Sequence, residues 1–239
     1  MSSFIKKKEL REYLKYASGE IVLTVIGIII GLQVHVWTEK RANEKKIDEI
    51  IGNLGDEFVL NNDNFEACKK ELETSLSNAK NLIELVGQKE SYLKTLNIDS
   101  LMAVSFAFRR FTPSEDVISV LLETGNLKLI TDDQMRNLLY AWSGNKPEVQ
   151  HKFSDLEANT GKLFSYLSHH YPLKDYDYYT SERLLGKSNL SINKYLIFQD
   201  IVFENHVDNQ IYYMHSYLEE LKKTHQIMND IIKYSRSNY

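Results

Sequence analysis

From Ala17 to Trp37 the chain reads A-S-G-E-I-V-L-T-V-I-G-I-I-I-G-L-Q-V-H-V-W, and no charged residue interrupts it between Ile21 and Leu32. At about 1.5 Å of helical rise per residue the stretch covers roughly 30 Å, the hydrocarbon thickness of a bilayer. The pattern predicts one membrane-spanning helix over residues 17–37. Ile, Val and Leu occupy every face of it, whereas a helix on a soluble core is apolar on one side. Lys6, Lys7, Lys8, Arg11 and Lys15 with Tyr13 and Tyr16 precede it and Trp37 follows it, a composition suited to the two headgroup layers. A cleaved signal peptide also sets basic residues before an apolar run, but Gln33-Val34-His35-Val36-Trp37 contains no small-x-small cleavage site.

Past Trp37 no helix breaker intervenes before Lys46, so the helix is expected to continue as a stalk over residues 38–90. Its apolar residues take a coiled-coil rhythm: Ile47, Ile51, Leu54, Phe58, Asn61, Phe65, Cys68, Leu72, Ser75, Ala79, Leu82 and Val86 alternate at steps of four and three. Such a stripe pairs with another copy or packs against later helices of its own chain. Asn61, Ser75 and the aromatic Phe58 and Phe65 make a poor regular seam and favour the second. Cys68, on that stripe, reads as a small buried hydrophobe. Gly52 and Gly55 each cost about 1 kcal/mol relative to Ala, which predicts a kink.

Shorter helices follow over residues 97–190. Asn97 to Arg109 is apolar enough to be buried. Thr112-Pro113-Ser114-Glu115 has capping-box spacing with Pro at the first helical position, and Gly125 is placed to end that helix. Thr131-Asp132-Asp133-Gln134 repeats the device ahead of Met135, Leu138, Leu139 and Trp142. Asn145-Lys146-Pro147 is expected to open a further helix, which Pro172 stops. Tyr171 to Asn189 is irregular and carries Tyr171, Tyr176, Tyr178 and Tyr179, either a platform for a ligand or a flap that buries its rings. Ile192 to Tyr234 lacks Gly and Pro, and its stripe of Ile197, Ile201, Val207, Ile211, Met214, Leu218, Leu221, Met228 and Ile232 predicts a long helix over residues 192–234.

Composition agrees with few, long elements: ten Gly and three Pro in 239 residues make about 5% where average chains have roughly 12%. One cysteine excludes an intramolecular disulfide framework. The net charge is −4 while Met1 to Tyr16 carries five Lys/Arg and two Glu, so the remainder is acidic and no nucleic-acid partner is expected. The slight excess of basic residues on the amino-terminal side predicts residues 1–16 in the cytoplasm, partly interfacial, and residues 38–239 on the other side. A tail of that length is too short for a kinase or nucleotide-binding module.

Lys15-Tyr16-Ala17-Ser18-Gly19-Glu20-Ile21-Val22-Leu23, Ile26-Gly27-Ile28, Leu32-Gln33 and Trp37-Thr38-Glu39 together resemble the start of a bacterial family of uncharacterised single-span membrane proteins, a domain of unknown function. A second patch agrees: Phe111-Thr112-Pro113-Ser114, Gly125-Asn126-Leu127-Lys128-Leu129-Ile130, Asp132 and Arg136-Asn137. The chain departs from the family pattern at Val34-His35. The resemblance covers about the first 140 residues and implies an inner-membrane protein with one amino-terminal helix; it carries no activity.

Within the span, Gly27 and Gly31 form G-x-x-x-G, which lets a second helix approach closely and suggests a homo-oligomer, although glycine is common in membrane helices generally. Glu20 is an intramembrane polar candidate about one turn inside the boundary, where it can equally reach back to Lys15, Tyr16 and the headgroups. His206, His215 and His225 lack the i,i+4 spacing of a helical zinc site, and His215 with Glu219 is a single pair of ligand spacing. Arg109-Arg110 could hold an anion or a helix end. No catalytic, cofactor-binding or metal residues are expected. The sequence therefore predicts an all-α, single-span protein whose extracytoplasmic bundle is closed by a second long helix. Its expected role is a non-enzymatic interaction or accessory protein with lipid, itself and a membrane or envelope protein as partners. The alternative is a sensory ligand-binding domain that signals to a separate output protein.

Overall fold

Asn61, Cys68 and Ser75 stand seven residues apart on one line of a helix, each carrying a hydrogen-bonding atom within the apolar stripe. In the computed structural model, which describes the backbone of residues 2–180 and 186–237 and side chains from residue 16 onward within them, that helix is α1, Ser2–Ile83. There follow α2, Glu90–Leu93; α3, Ile98–Ser105; α4, Asp116–Glu123; a 3-10 turn, Asn126–Leu129; α5, Asp133–His170; α6, Leu173–Asp177; a 3-10 turn, Lys194–Gln199; and α7, Ile201–Ser237. No strand occurs among the described residues, so the fold is all-α with a long helix towards each end of the sequence.

The chain divides into two units, Met1–Ile51 and Gly52–Tyr239. Among the described residues the first unit is the amino-terminal part of α1, whose apolar side chains from Ile21 to Trp37 lie exposed. In the second unit the rest of α1 packs with α5 and α7. Asn145 bonds Glu220 and Thr224 while Asn159 bonds Gln210, so α5 and α7 run antiparallel. Gly55 meets Ser235 and Phe65 stacks on His225, so α7 is antiparallel to α1 as well. Leu54, Phe58, Asn61, Phe65, Cys68, Leu72, Ser75, Ala79 and Leu82 are all buried. The stripe is used inside its own chain.

The three polar positions hold an extended strap, Ala107 to Glu115, against α1. Ser75 Oγ donates to Ala107 O, Cys68 Sγ to Arg109 O at 3.3 Å, and Asn64 Nδ2 to Thr112 O at 3.0 Å. Asn61 donates to Ser114 O at 2.8 Å and accepts Ser114 N–H at 2.7 Å. Phe111 N–H donates to the buried Tyr217 hydroxyl at 3.0 Å. Side chains thereby give the strap's backbone the partners that a sheet ladder would supply, as buried peptide groups require. Among the described residues no buried side-chain nitrogen or oxygen lacks a hydrogen-bond partner.

The strap also moves helix boundaries away from their sequence signals. The helix expected through Arg109 stops at Ser105, because the carbonyls of Ala107 and Arg109 are taken by α1. The helix expected to open at Pro113 begins instead at Asp116. Its cap is the Glu57 carboxylate, which accepts Asp116 N–H at 2.6 Å and Val117 N–H at 3.3 Å and satisfies donors that a helix start leaves open. Gly125 ends α4 as expected, at φ 65, a left-handed conformation that glycine adopts without strain.

Pro147 does not open a helix; α5 passes through it. Interior proline costs about 3 kcal/mol, but Trp142, Val149 and Phe153 are all buried along α5, and each such side chain contributes roughly 1.5–3 kcal/mol. Asp132, rather than Thr131, caps α5 by accepting Met135 N–H at 2.9 Å. α7 starts at Ile201, not Ile192, because the Asp200 carboxylate accepts Val202 N–H at 2.8 Å, and Ile231 takes the core position expected of Ile232.

Gly55 has a packing role: a Cβ there would lie 2.5 Å from Ser235 Oγ and 3.1 Å from Ser235 Cβ, while one on Gly52 would meet nothing within 4 Å. Gly52→Ala should therefore raise stability by up to about 1 kcal/mol through helix propensity. Gly55→Val should lower it by roughly 1–3 kcal/mol through overpacking. Urea denaturation of the two variants, read by circular dichroism, checks the opposite signs.

Candidate functional site

In the membrane-length segment, α1 is the one helix among the described residues that is long and apolar enough to cross a membrane, and none of its most apolar stretch is buried. Gly27 and Gly31 face open space, with no atom within 4 Å of an added Cβ. Glu20 is exposed, and its carbonyl accepts Thr24 Oγ1–H at 2.9 Å; the side chain of Lys15, its expected companion, lies outside the described residues, as do those of the rest of the basic tail before Tyr16. At the other end the Arg41 guanidinium sits 5.1 Å from the Trp37 ring centroid, a cation and an amphipathic ring of the kind found at headgroup depth.

In the second unit a cavity of about 180 Å³ opens between the strap, α5 and α7, lined by residues that include Arg110, Phe111, Pro113, Trp142, Lys146, Val149, Gln150 and Thr224. Most of the lining surface is apolar. Glu115, freed from capping α4 by Glu57, instead accepts Trp142 Nε1–H at 3.2 Å and pairs with Lys146. Thr224 accepts from Asn145 Nδ2 at 3.1 Å and donates to Glu220 O. Of the adjacent arginines, Arg109 pairs with Glu71 at 3.3 Å, while Arg110 lies over the Phe153 ring at 4.8 Å and has no carboxylate within 4.0 Å among the described residues. Neither arginine sits at a helix end, because the strap carries both.

A second polar cluster closes the aromatic segment. Asp99, on the first turn of α3 and buried, accepts the Tyr171 hydroxyl, Lys194 Nζ at 2.7 Å and Lys187 Nζ at 3.4 Å. Burial alone would push its carboxyl up, but hydrogen bonds from Lys194 and Tyr171 and the two lysine charges hold it below the usual carboxylate range. Lys194 also reaches Asp175, which accepts Ser188 N–H at 2.7 Å. Tyr171 and Tyr176 bury their rings in the core with Phe106, Phe198 and Phe203, and burial pushes the Tyr176 phenol up to about 12. Tyr178 and Tyr179 meet edge to face, and the Lys187 ammonium lies 5.5 and 4.9 Å from their ring centroids. The flap reading fits this segment; residues 181–185 lie outside the described residues.

His169 and His170 are neighbours with ring centroids 6.4 Å apart, and His170 and His206 both pack on Tyr166. Among the described residues no three His, Cys, Asp or Glu side chains gather to hold a metal, and Glu219, at ligand spacing from His215, is bonded by Lys222 at 2.7 Å. His225 stacks on Phe65 with centroids 4.4 Å apart, and its Nε2 lies 3.1 Å from Asn62 Oδ1 and 3.4 Å from Glu66 Oε1, two acceptors that place the proton on Nε2. Burial lowers its pKa, Glu66 opposes the shift and Lys69 adds to it. The unfolded imidazole, near 6.5, thus takes a proton first. Stability is expected to fall as pH drops below about 6.5 and to level off once the folded imidazole also titrates. Urea denaturation between pH 7 and 5 should show a shallower slope for His225→Gln. Cys68 is buried, and burial pushes its thiol up, as suits a packing residue.

Trp142, Lys146 and Glu115 belong to no sequence motif for chemistry. The one available signal was Glu115 in a capping position followed 27 residues later by a tryptophan, a separation no local motif spans. Neither a protein-family model, nor a curated protein, nor a solved structure matches the chain.

Proposed function

We propose that this is a single-span bacterial inner-membrane protein that works by association rather than catalysis, as an accessory or interaction subunit. Residues 17–37 form the span, residues 1–16 lie in the cytoplasm and residues 38–239 lie on the periplasmic side. The observation that carries the reading is the contrast between the two parts of α1: the stripe from Leu54 to Leu82 is buried by its own chain, whereas the residues of the most apolar stretch are wholly uncovered. Lipid satisfies that surface, and the open notch at Gly27 and Gly31 lets a second copy approach backbone to backbone. The resemblance of the Lys15–Glu39 and Phe111–Asn137 patches to a family of single-span proteins supports the inner membrane.

Gly27→Leu with Gly31→Leu separates this role from folding. Self-association in membranes, read by a two-hybrid reporter fused to the tail, should drop, while unfolding of the bundle stays unchanged; undiminished association would remove the glycines from the interface. A reporter fused after Tyr239 should be active only outside the cytoplasm, and cytoplasmic activity would reverse the orientation. A sensory role is the second reading, and the cavity beside Arg110 is the observation that favours it.

A further inference from the structure

We propose that the cavity between the strap, α5 and α7 binds a small carboxylate with a single-ring or short branched apolar body. It goes beyond the role proposed above, since it depends neither on the span nor on self-association. Size sets the first limit. An apolar cavity of about 150 Å³ admits benzene, so the 180 Å³ here suits one ring or a few branched carbons. Lining sets the second. Phe111, Pro113, Trp142 and Val149 offer apolar and aromatic surface to the body of such a ligand.

Charge sets the third. Lys146 and Glu115 neutralise each other at the wall, and Glu115 is further held by Trp142 Nε1, so this pair takes up no net ionic ligand. Arg110 is different: its neighbour Arg109 is matched by Glu71, but among the described residues Arg110 has only the face of Phe153. Among the described residues the cavity thus carries one cation without a carboxylate partner, able to receive a ligand carboxylate in a two-pronged hydrogen bond. A single positive group on a mostly apolar wall selects a monoanion with a hydrophobic body over inorganic phosphate, which would leave the apolar surface unused. It also disfavours an ammonium ligand, since the acids near the wall, Glu115 and Glu220, are already paired with Lys146 and Lys223.

Trp142 supplies the readout. Trp37 and Trp142 are the two tryptophans, so Trp37→Phe in the full-length protein, reconstituted in lipid nanodiscs, leaves emission from the cavity wall alone. Titration with benzoate and with phenylacetate, followed in parallel by calorimetry, is expected to give a saturable signal for at least one of them. Benzyl alcohol, of similar body but uncharged, should bind about tenfold more weakly, and phosphate should give none. Arg110→Gln, at an exposed position and checked for folding by its thermal unfolding midpoint, should bring the carboxylate down to the alcohol's affinity without altering the alcohol's own. Val149→Phe should abolish both by filling the space. Absence of saturable fluorescence and heat for both carboxylates at millimolar concentration would overturn the proposal. Carboxylate binding that Arg110→Gln leaves unchanged would overturn it equally, as would binding of phosphate as tight as that of the carboxylates.

Discussion

Replacing Asn61, Cys68 and Ser75 together by leucine should unfold the bundle, although it completes the heptad pattern of α1. In a helix seam between two chains, leucine at these positions would strengthen packing. Here Asn61→Leu strands the N–H and C=O of Ser114, Ser75→Leu strands Ala107 O, and Cys68→Leu strands Arg109 O. Each stranded group costs about 1–3 kcal/mol and each enlarged side chain roughly another 1–3. The total of about 5 kcal/mol or more is comparable with the whole stability of a typical domain. Thermal unfolding of the full chain in detergent should show a midpoint lowered by at least about 10–20 °C, or no cooperative transition. A raised midpoint that depends on protein concentration would mean that the stripe is a seam between copies.

Asp99→Ala is expected to release the tyrosine flap. Removing one partner of a buried ion pair costs about 3–5 kcal/mol, because the charge left behind has lost both water and counter-ion. The Lys194 ammonium and the Tyr171 hydroxyl would be so stranded. Unfolding should occur at lower denaturant, and amide exchange should accelerate first over Leu173–Asp177 and Lys194–Gln199, the segments that Asp99 ties to α3. The pH dependence follows from a carboxyl held below its usual range. Its contribution is complete above the unfolded value of about 3.9 and is lost as pH falls through the lower folded value. The difference between Asp99→Ala and the parent should be constant from neutrality to about pH 4 and shrink below that. Lys194→Met in the same chain should recover part of the loss; exchange unchanged in both segments would detach Asp99 from the flap.

These two clusters mark the boundary of what the sequence makes legible. The α1 stripe, the Gly125 stop, the helix start at Thr131–Asp132 and the long closing helix all follow from short-range spacing, and each is present. The strap does not, because its partners are remote: Ser75 and Ala107 are 32 positions apart, Asn61 and Ser114 53, and Glu57 and Asp116 59. The lapses of the stripe at Asn61 and Ser75 carry the information, since a buried polar residue needs a partner. What they could not tell was which segment supplies it. Pro147 misled for a related reason: its local preference to begin a helix is outweighed by burial on both sides of it. The cavity was out of reach because Arg110, Trp142 and Thr224 meet only once the strap, α5 and α7 are in place.

Cross-linking in native membranes, followed by purification and mass spectrometry of what stays attached, tests most directly whether the chain is a membrane-anchored interaction protein. The expected result is recovery in the integral-membrane fraction, in stoichiometric complex with a second copy, an envelope protein or both, with the second copy lost on Gly27→Leu and Gly31→Leu. Recovery as an uncomplexed monomer, or release from the membrane by alkaline washing, would contradict it.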